Sequence, residues 1–129
     1  MSEMPGDLRY SRKHEWARAN DDGSVTIGIT DHAQDQLGDL VYVEVPEQGQ
    51  ELAADEACAV VESVKAASDV YAPIAGTVIA VNETLADKPE AVNQDAYGEG
   101  WLIRLTPSSS DALSALMDAD AYREFVESE

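Results

Sequence analysis

Short apolar runs separated by polar turns dominate most of the chain. Residues 40–45 form the clearest run, β-branched and aromatic almost throughout, and Pro46 stops it. Residues 24–29 alternate between apolar and small or polar positions, which is typical of a strand with one buried face. Residues 82–96 are polar with few regular signals and are predicted to form a long loop. Further strands are predicted at residues 9–19, 51–54 and 101–105.

Two apolar runs on either side of residue 65 predict a central hairpin. Residues 57–61 and 70–81 flank a polar insert, with Val64 and Lys65 at its tip. Neither tip residue requires a positive φ, so a type I turn suits them. Pro73 interrupts the second arm, and we expect the chain to leave one sheet and join another there.

Helical signals are confined to two places. Thr30 or Asp31 can cap a short helix near residues 31–37, and Gly38 is placed to end it. A helical appendage is predicted near residues 110–127, where apolar residues fall at helical spacing. The pattern predicts a mainly β fold with few helices, and taken alone it allows a sandwich or a small barrel.

The composition of the chain excludes several kinds of partner and of binding site. The net charge is −18, from 8 basic and 26 acidic residues, so neither nucleic acid nor a membrane surface is an expected partner. Cys58 is the only cysteine, which excludes an internal disulfide and a cysteine-based metal site. We expect one soluble, cytoplasmic domain over residues 1–129, with a loose lead-in at residues 1–8.

Residues with catalytic potential do not form a recognisable constellation. Glu62 and Asp69 lie on opposite arms of the hairpin, so they are not an evident acid–base pair. Ser63 and Ser68 have no evident base beside them. Lys65 is expected to be exposed among acids, so it lacks the burial or the neighbouring cation that activates a Schiff-base lysine. These residues argue against an enzyme, and an exposed turn lysine with small neighbours is instead a candidate site of acylation.

Four segments of the chain resemble the glycine cleavage system H protein family. They follow the family order and spacing, and they cover nearly the whole chain. They are Tyr10 with His14–Trp16, then Ile27–Asp39, then Glu62–Pro73, and finally Tyr97–Ile103. The third resembles the lipoylation segment of the family, so the resemblance implies lipoic acid attached to Lys65.

The resemblance implies a fold and a cycle. The fold is the barrel-sandwich hybrid of two antiparallel sheets, with the short helix near 31–37 and the helical appendage near 110–127. The lipoyl arm would carry the aminomethyl group of glycine from a pyridoxal-phosphate glycine decarboxylase (P protein) to a tetrahydrofolate-dependent aminomethyltransferase (T protein). A dihydrolipoamide dehydrogenase (L protein) would reoxidise it. A lipoate ligase or a lipoyl/octanoyl transferase would attach the lipoyl group, and the cofactor, not the protein, would supply the chemistry.

Two sets of residues are implied by the same resemblance. Those expected to line the cleft that receives the arm are Glu15, His32 and Asp69. Those expected to present the hairpin to the attaching enzyme are Glu62, Ser63, Val64 and Ala66. Lys13 departs from the small polar residue often found at its position in the family.

Other carriers of the same architecture remain as alternatives. Lipoyl domains of 2-oxoacid dehydrogenases usually have Asp before the lysine, where this chain has Val64. Biotin carriers usually have methionines on both sides of the lysine, where this chain has Val64 and Ala66. A free-standing biotinyl or lipoyl attachment module is thus the less favoured interpretation. A lipoate relay, which donates lipoyl groups to other lipoyl domains, shares the same lysine and is not separated from a shuttle by sequence.

Overall fold

The computed structural model describes residues 8–108 and 112–128, and within them the chain forms two antiparallel sheets. The larger sheet has the strand order β1-β2-β3-β9-β8-β5, and the smaller has the order β4-β6-β7. The strands are β1 (Arg9–Tyr10), β2 (Glu15–Ala19), β3 (Val25–Ile29), β4 (Leu40–Glu44), β5 (Glu51–Leu52), β6 (Ala57–Ser63), β7 (Ala67–Tyr71), β8 (Gly76–Val81) and β9 (Ile103–Pro107).

Helices are few and short. They are α1 (Asp31–Leu37), α2 (Thr84–Asp87), α3 (Ala91–Gln94), a 3₁₀ turn (Ala112–Ala115) and α4 (Ala119–Ser128). Within residues 8–108 and 112–128, no helix is both long and apolar enough to cross a membrane.

Two apolar clusters hold the elements together. The larger cluster is built from residues of both sheets, including Ile27, Val61, Val78 and Leu105, each at most 1% exposed. The smaller cluster joins β1 and β2 to α4, and contains Tyr10, Trp16 and Tyr122, which are all fully buried. The C-terminal helix is therefore part of the packed structure next to β1 and β2.

The main predictions of the pattern are confirmed. The fold is mainly β with two antiparallel sheets. Strands β6 and β7 form the hairpin, and Glu62 pairs with Ala67 as the last pair before the turn. The chain then passes Pro73 and enters β8 in the other sheet. Thr30 caps α1 by accepting a hydrogen bond from Ala33 N, and Gly38 ends the helix with φ +84°.

Two strand and loop predictions are wrong. Residues 9–19 do not form one strand, because His14 has φ +67° and the chain turns there, so that β1 pairs back onto β2. Residues 82–96 are not a long loop but contain α2 and α3. Each of these helices buries one apolar residue, Leu85 or Val92, and tertiary packing rather than periodicity stabilises helices of this length.

The ends of the chain are described only in part. Of the predicted lead-in, residues 1–7 lie outside the described residues, and Leu8 is 1% exposed within the smaller cluster. Where a helical appendage was predicted near residues 110–127, the described chain forms the 3₁₀ turn at 112–115 and helix α4, with residues 109–111 outside the described part. The organisation as a single domain stays a prediction, which the larger cluster supports because both sheets contribute to it.

Candidate functional site

The turn of the β6–β7 hairpin presents Lys65 to solvent. Ser63 N donates to the carbonyl oxygen of Ala66 at 2.7 Å, which leaves Val64 and Lys65 as the two residues of the tip. The hydroxyl oxygen of Ser63 accepts hydrogen bonds from the backbone N–H groups of Lys65 at 3.3 Å and Ala66 at 3.1 Å. Val64 is 83% exposed, an unusual position for a large apolar side chain. One serine side chain thus organises the backbone of the turn.

The side chain of Lys65 lies over the end of helix α1. A methyl group placed on Gly38 would lie 3.5 Å from Lys65 Cε and 3.9 Å from Nζ, so the lysine stem is in near contact with this glycine. The last carbonyl groups of a helix carry partial negative charge, which favours an ammonium group there. The side chain is therefore directed from the hairpin towards α1.

A cleft of about 250 Å³ lies between α1, the β1–β2 turn and the hairpin. We call it the arm cleft, and its lining residues are Lys13, His14, Ala33, Gln36, Leu37 and Ser68. Leu37 directly precedes Gly38, so the cleft adjoins the place where the Lys65 stem lies.

The cleft fits a lipoyl group in size and chemistry. A cavity of about 150 Å³ accommodates benzene in another protein, so 250 Å³ has room for a medium-length acyl chain. Ala33 and Leu37 give the cleft an apolar side, while His14 and Ser68 add polar atoms. An acylated lysine has lost its charge, so burial of its stem along this side carries no cost of desolvating an ammonium group.

Glu15 is buried, in contrast to the other acids of the site. Its side chain is 2% exposed; one carboxylate oxygen accepts from Ser11 Oγ at 2.5 Å and the other from Tyr71 N at 3.2 Å. Burial raises the pKa of the Glu15 carboxyl, although its hydrogen bonds and the charge of Lys13 oppose the increase. Glu15 therefore joins the β1–β2 turn to the end of β7.

Cys58 lies half-buried against the larger apolar cluster. Burial raises the pKa of its thiol to about 12, and the negative charge of Glu15 adds to the increase. Cys58 is thus a small residue packed against the core.

The two histidines of the chain are in contact. The ring centroids of His14 and His32 are 4.8 Å apart. His14 lines the arm cleft, and its Nδ1 is 2.7 Å from the hydroxyl of Tyr122. His32 belongs to α1 and precedes the lining residue Ala33, so its ring contact with His14 joins α1 to the β1–β2 turn.

Asp69 lies on the exposed outer face of the smaller sheet. It pairs with Val60, and the residue before it, Ser68, lines the arm cleft. Because successive side chains of a strand point to opposite faces, Asp69 is directed away from Ser68. On the neighbouring strands of this sheet, Tyr42 of β4 pairs directly with Glu62 of β6. The Tyr42 hydroxyl donates a hydrogen bond to Glu44, and this bond raises the pKa of the hydroxyl.

A second cleft, of about 470 Å³, lies on the other side of Lys13. It is larger than the arm cleft. None of its described lining residues belongs to the β6–β7 hairpin, so it is not a candidate cleft for a group attached to Lys65. Its lining residues are Tyr10, Ser11, Arg12, Lys13, Ala54, Asp55, Pro73, Leu116 and Met117.

In the described part of the chain, no group of three or more His, Cys, Asp or Glu residues is placed to bind a metal ion.

The predicted arm-cleft residues thus lie beside the cleft. None of Glu15, His32 and Asp69 is among its described lining residues, yet each is adjacent in sequence to one. Sequence reasoning missed two residues that position the cleft, Asn93 and Tyr122. It also missed five of the lining residues, which are His14, Ala33, Gln36, Leu37 and Ser68. The missed lining residues all lie within segments of the family resemblance, whereas Asn93 and Tyr122 lie outside all four segments.

Comparison with known proteins agrees with this geometry. Residues 8–129 match the family model described as glycine cleavage H-protein. The chain is 61% identical over 129 residues to a glycine cleavage system H protein of Halorhodospira halophila, covering 100% of this chain and 99% of the relative. It is 58% identical to one of Shewanella frigidimarina, covering 100% of both.

A crystal structure of a glycine cleavage system H protein from Mycobacterium marinum superimposes with a TM-score of 0.87. The two chains are 39% identical, and the match covers 96% of this chain and 99% of the other. Both sheets, the hairpin and the C-terminal helix therefore belong to a known barrel-sandwich fold. The chain belongs to the glycine cleavage H-protein family, and it is a lipoate-carrying shuttle subunit of the glycine cleavage system rather than one of its enzymes.

Proposed function

We propose that Lys65 is the residue that carries the lipoyl group, and that the attached arm lies along the arm cleft. The observation that supports this most strongly is the joint placement of the hairpin tip and the cleft. Lys65 is exposed on a two-residue turn, and its stem lies over Gly38, next to the cleft residue Leu37. The same lysine is thus accessible to an attaching enzyme and close to a cleft that accommodates an acyl chain.

When bound, the lipoyl group supplies the disulfide chemistry of the shuttle, and the protein supplies position and protection. Ala33 and Leu37 exclude water from the apolar stem, and the hairpin fixes where the arm starts. Burial in the cleft would shield a labile group on the arm from bulk water, whereas release from the cleft would present that group to an enzyme.

The predicted arm contacts stay predictions. His32 is supported by its ring contact with His14, and Asp69 by its place next to Ser68. Glu15 is buried with both oxygens hydrogen-bonded, which favours a role in fixing the β1–β2 turn over direct contact with the arm.

The proposed partners are the other proteins of the glycine cleavage system and the enzyme that attaches lipoate. These are the P protein (glycine decarboxylase), the T protein (aminomethyltransferase), the L protein (dihydrolipoamide dehydrogenase) and a lipoate ligase or lipoyl/octanoyl transferase. The attaching enzyme would read the turn through Glu62, Ser63, Val64 and Ala66. The cytoplasmic location expected from the sequence stays a prediction.

Intact mass and peptide mapping test the assignment of Lys65. Protein expressed with a lipoate ligase and lipoate should gain one lipoyl group, and Lys65→Arg should gain none because arginine keeps the charge but offers no acceptor amine. Lys88→Arg is the matched control, since Lys88 is one of only two other lysines, and it should still gain one group. A lipoyl group found on Lys13 or Lys88 of the Lys65→Arg protein would overturn the assignment.

A further inference from the structure

Packing of its aromatic ring holds the Tyr122 side chain in place independently of the hydroxyl group. The side chain lies on α4 and is fully buried, and its ring stacks on the ring of Tyr10 with centroids 4.7 Å apart and an interplanar angle of 9°. Phe125 lies beside it at 6.5 Å. Because these contacts involve the ring alone, replacement by phenylalanine removes the hydroxyl and leaves the packing in place.

The hydroxyl of Tyr122 contacts two elements that border the arm cleft. It is 2.7 Å from Nδ1 of His14, in the turn between β1 and β2, and 2.8 Å from Oγ1 of Thr30. Thr30 is the N-cap of α1, and its Oγ1 also accepts a hydrogen bond from Ala33 N at 3.2 Å. One buried hydroxyl therefore links the β1–β2 turn to the start of α1.

Each linked element contributes lining residues to the arm cleft. His14 lies on one side, and Ala33 on α1 lies on the other. Helix α1 packs against the larger apolar cluster through Ala33 and Leu37, and its N-cap Thr30 contacts the Tyr122 hydroxyl. The backbone of His14 is fixed separately, by Thr30 N donating to its carbonyl oxygen at 2.9 Å. Because the backbones of the turn and of the helix cap are already joined, the bond to Tyr122 acts on the orientation of the His14 imidazole.

We propose that Tyr122 is a positioning residue for the lipoyl arm, which orients the His14 imidazole on the wall of the arm cleft from the C-terminal helix. The proposal rests on the proposed lipoylation of Lys65. Tyr122 itself does not line the described cleft, so its effect on the arm passes through His14 and Thr30. Without the Tyr122 hydroxyl, the His14 imidazole can rotate, and the arm is released from the cleft more often.

The first measurement is the state of the His14 imidazole, read by ¹⁵N NMR on unmodified protein. The chain has two histidines, and His32→Gln identifies the signals of His14. Tyr122→Phe should shift the Nδ1 resonance of His14, because Nδ1 loses its hydrogen-bond partner in the phenol. Tyr42→Phe is the matched control, since it also removes one hydroxyl but on the exposed outer face, and it should leave the resonance unchanged.

The second measurement is the exposure of the arm, read as the rate at which the reduced lipoyl dithiol of the modified protein reacts with a maleimide. A Cys58→Ala background removes the only other thiol. Tyr122→Phe should react about three- to tenfold faster, the range expected for loss of one net hydrogen bond. His14→Phe should act in the same direction. The double variant should add little to either single variant, because both remove the same bond.

Each unfavourable result overturns a distinct statement. An unchanged His14 resonance in Tyr122→Phe means that the link does not exist in solution. A shifted resonance with a wild-type dithiol rate, or full additivity in the double variant, means that the link does not control the arm. If Tyr122→Phe did not fold, His14→Phe alone would decide the arm rate. Absence of a lipoyl group from the wild-type protein would overturn the proposed function and this proposal with it.

Discussion

The side-chain amide of Asn93 donates a hydrogen bond to the carbonyl oxygen of Gly38 at 2.9 Å. The same amide donates to Gln34 Oε1 at 2.8 Å, and its oxygen accepts from Leu40 N at 2.9 Å. Asn93 therefore fixes the C-terminal end of α1, where the stem of Lys65 lies.

Replacing Asn93 with alanine should destabilise the protein by about 1–3 kcal/mol, because Gly38 and buried Leu40 each lose a hydrogen-bond partner. Urea denaturation measures the loss, and faster hydrogen exchange of the Leu40 amide would locate it. Gln34→Ala is the control, since it removes only the Gln34 bond of the three that Asn93 makes, together with a bond from Gln34 to Asp31, and it should cost less. Equal losses in the two variants would contradict a special role for Asn93.

Gly38 has φ +84° and ψ −166°, a conformation that strains any residue with a Cβ atom. Gly38→Ala should therefore lower the free energy of unfolding by about 1–3 kcal/mol. Gly49 has φ +93° with open space around it, so Gly49→Ala is a matched control for the backbone strain. Only the methyl group at Gly38 would touch Lys65, so only that variant should be lipoylated more slowly. Equal lipoylation rates in both variants would show that the contact with Gly38 does not affect the lysine.

The hydroxyl oxygen of Ser63 accepts two backbone hydrogen bonds inside the turn, and Ser63→Ala removes both. The turn is exposed, so the stability of the protein should change by less than about 1 kcal/mol. The geometry around Lys65 should loosen, and the initial rate of lipoylation by the ligase should fall several-fold. Ser68→Ala changes the same residue type on the same hairpin outside the turn, and it should be lipoylated at the wild-type rate. A normal rate for Ser63→Ala would mean that the enzyme does not require this turn geometry.

Because the pKa of Glu15 is raised, we expect its contribution to the free energy of unfolding to depend on pH. Its pKa in the folded protein is raised above the usual value of 4.5, so the folded state binds the proton more tightly than the unfolded chain does. The contribution of this carboxyl to stability is therefore greatest below pH 4.5 and falls as the pH rises through the raised pKa. Glu15→Gln removes the titration and keeps an acceptor for Tyr71 N. The stability of the variant relative to wild type should rise with pH over that window.

Thermal or urea unfolding at a series of pH values tests this dependence. Glu127→Gln, a change at an exposed position on α4, serves as the control for loss of one acid from a chain of charge −18. Its difference from wild type should show no such rise. If the Glu15→Gln and wild-type curves ran parallel, burial of the Glu15 charge would not contribute to stability.

Local signals in the sequence were sufficient for some features of the site and not for others. The hairpin tip, the Thr30 cap and the end of α1 at Gly38 depend on residues within four positions of one another, and all three are confirmed. The contact between His14 and Tyr122 joins residues 108 positions apart, and no pattern along the chain indicates it. Asn93 was missed because its helix has only four residues and a single buried apolar side chain. Strand direction explains why Asp69, the neighbour of a lining residue, lies on the opposite face.

The burial of Cys58 has a consequence for the redox side of the shuttle. Thiolates attack disulfides and thiols do not, and a pKa of about 12 keeps Cys58 protonated at neutral pH. A reactive cysteine so close in the chain to Lys65 would compete for the lipoyl disulfide and trap the arm as an internal mixed disulfide. Because this thiol stays protonated, Cys58 does not compete for the disulfide of a lipoyl group on Lys65, and the arm remains available to the partner that reoxidises it.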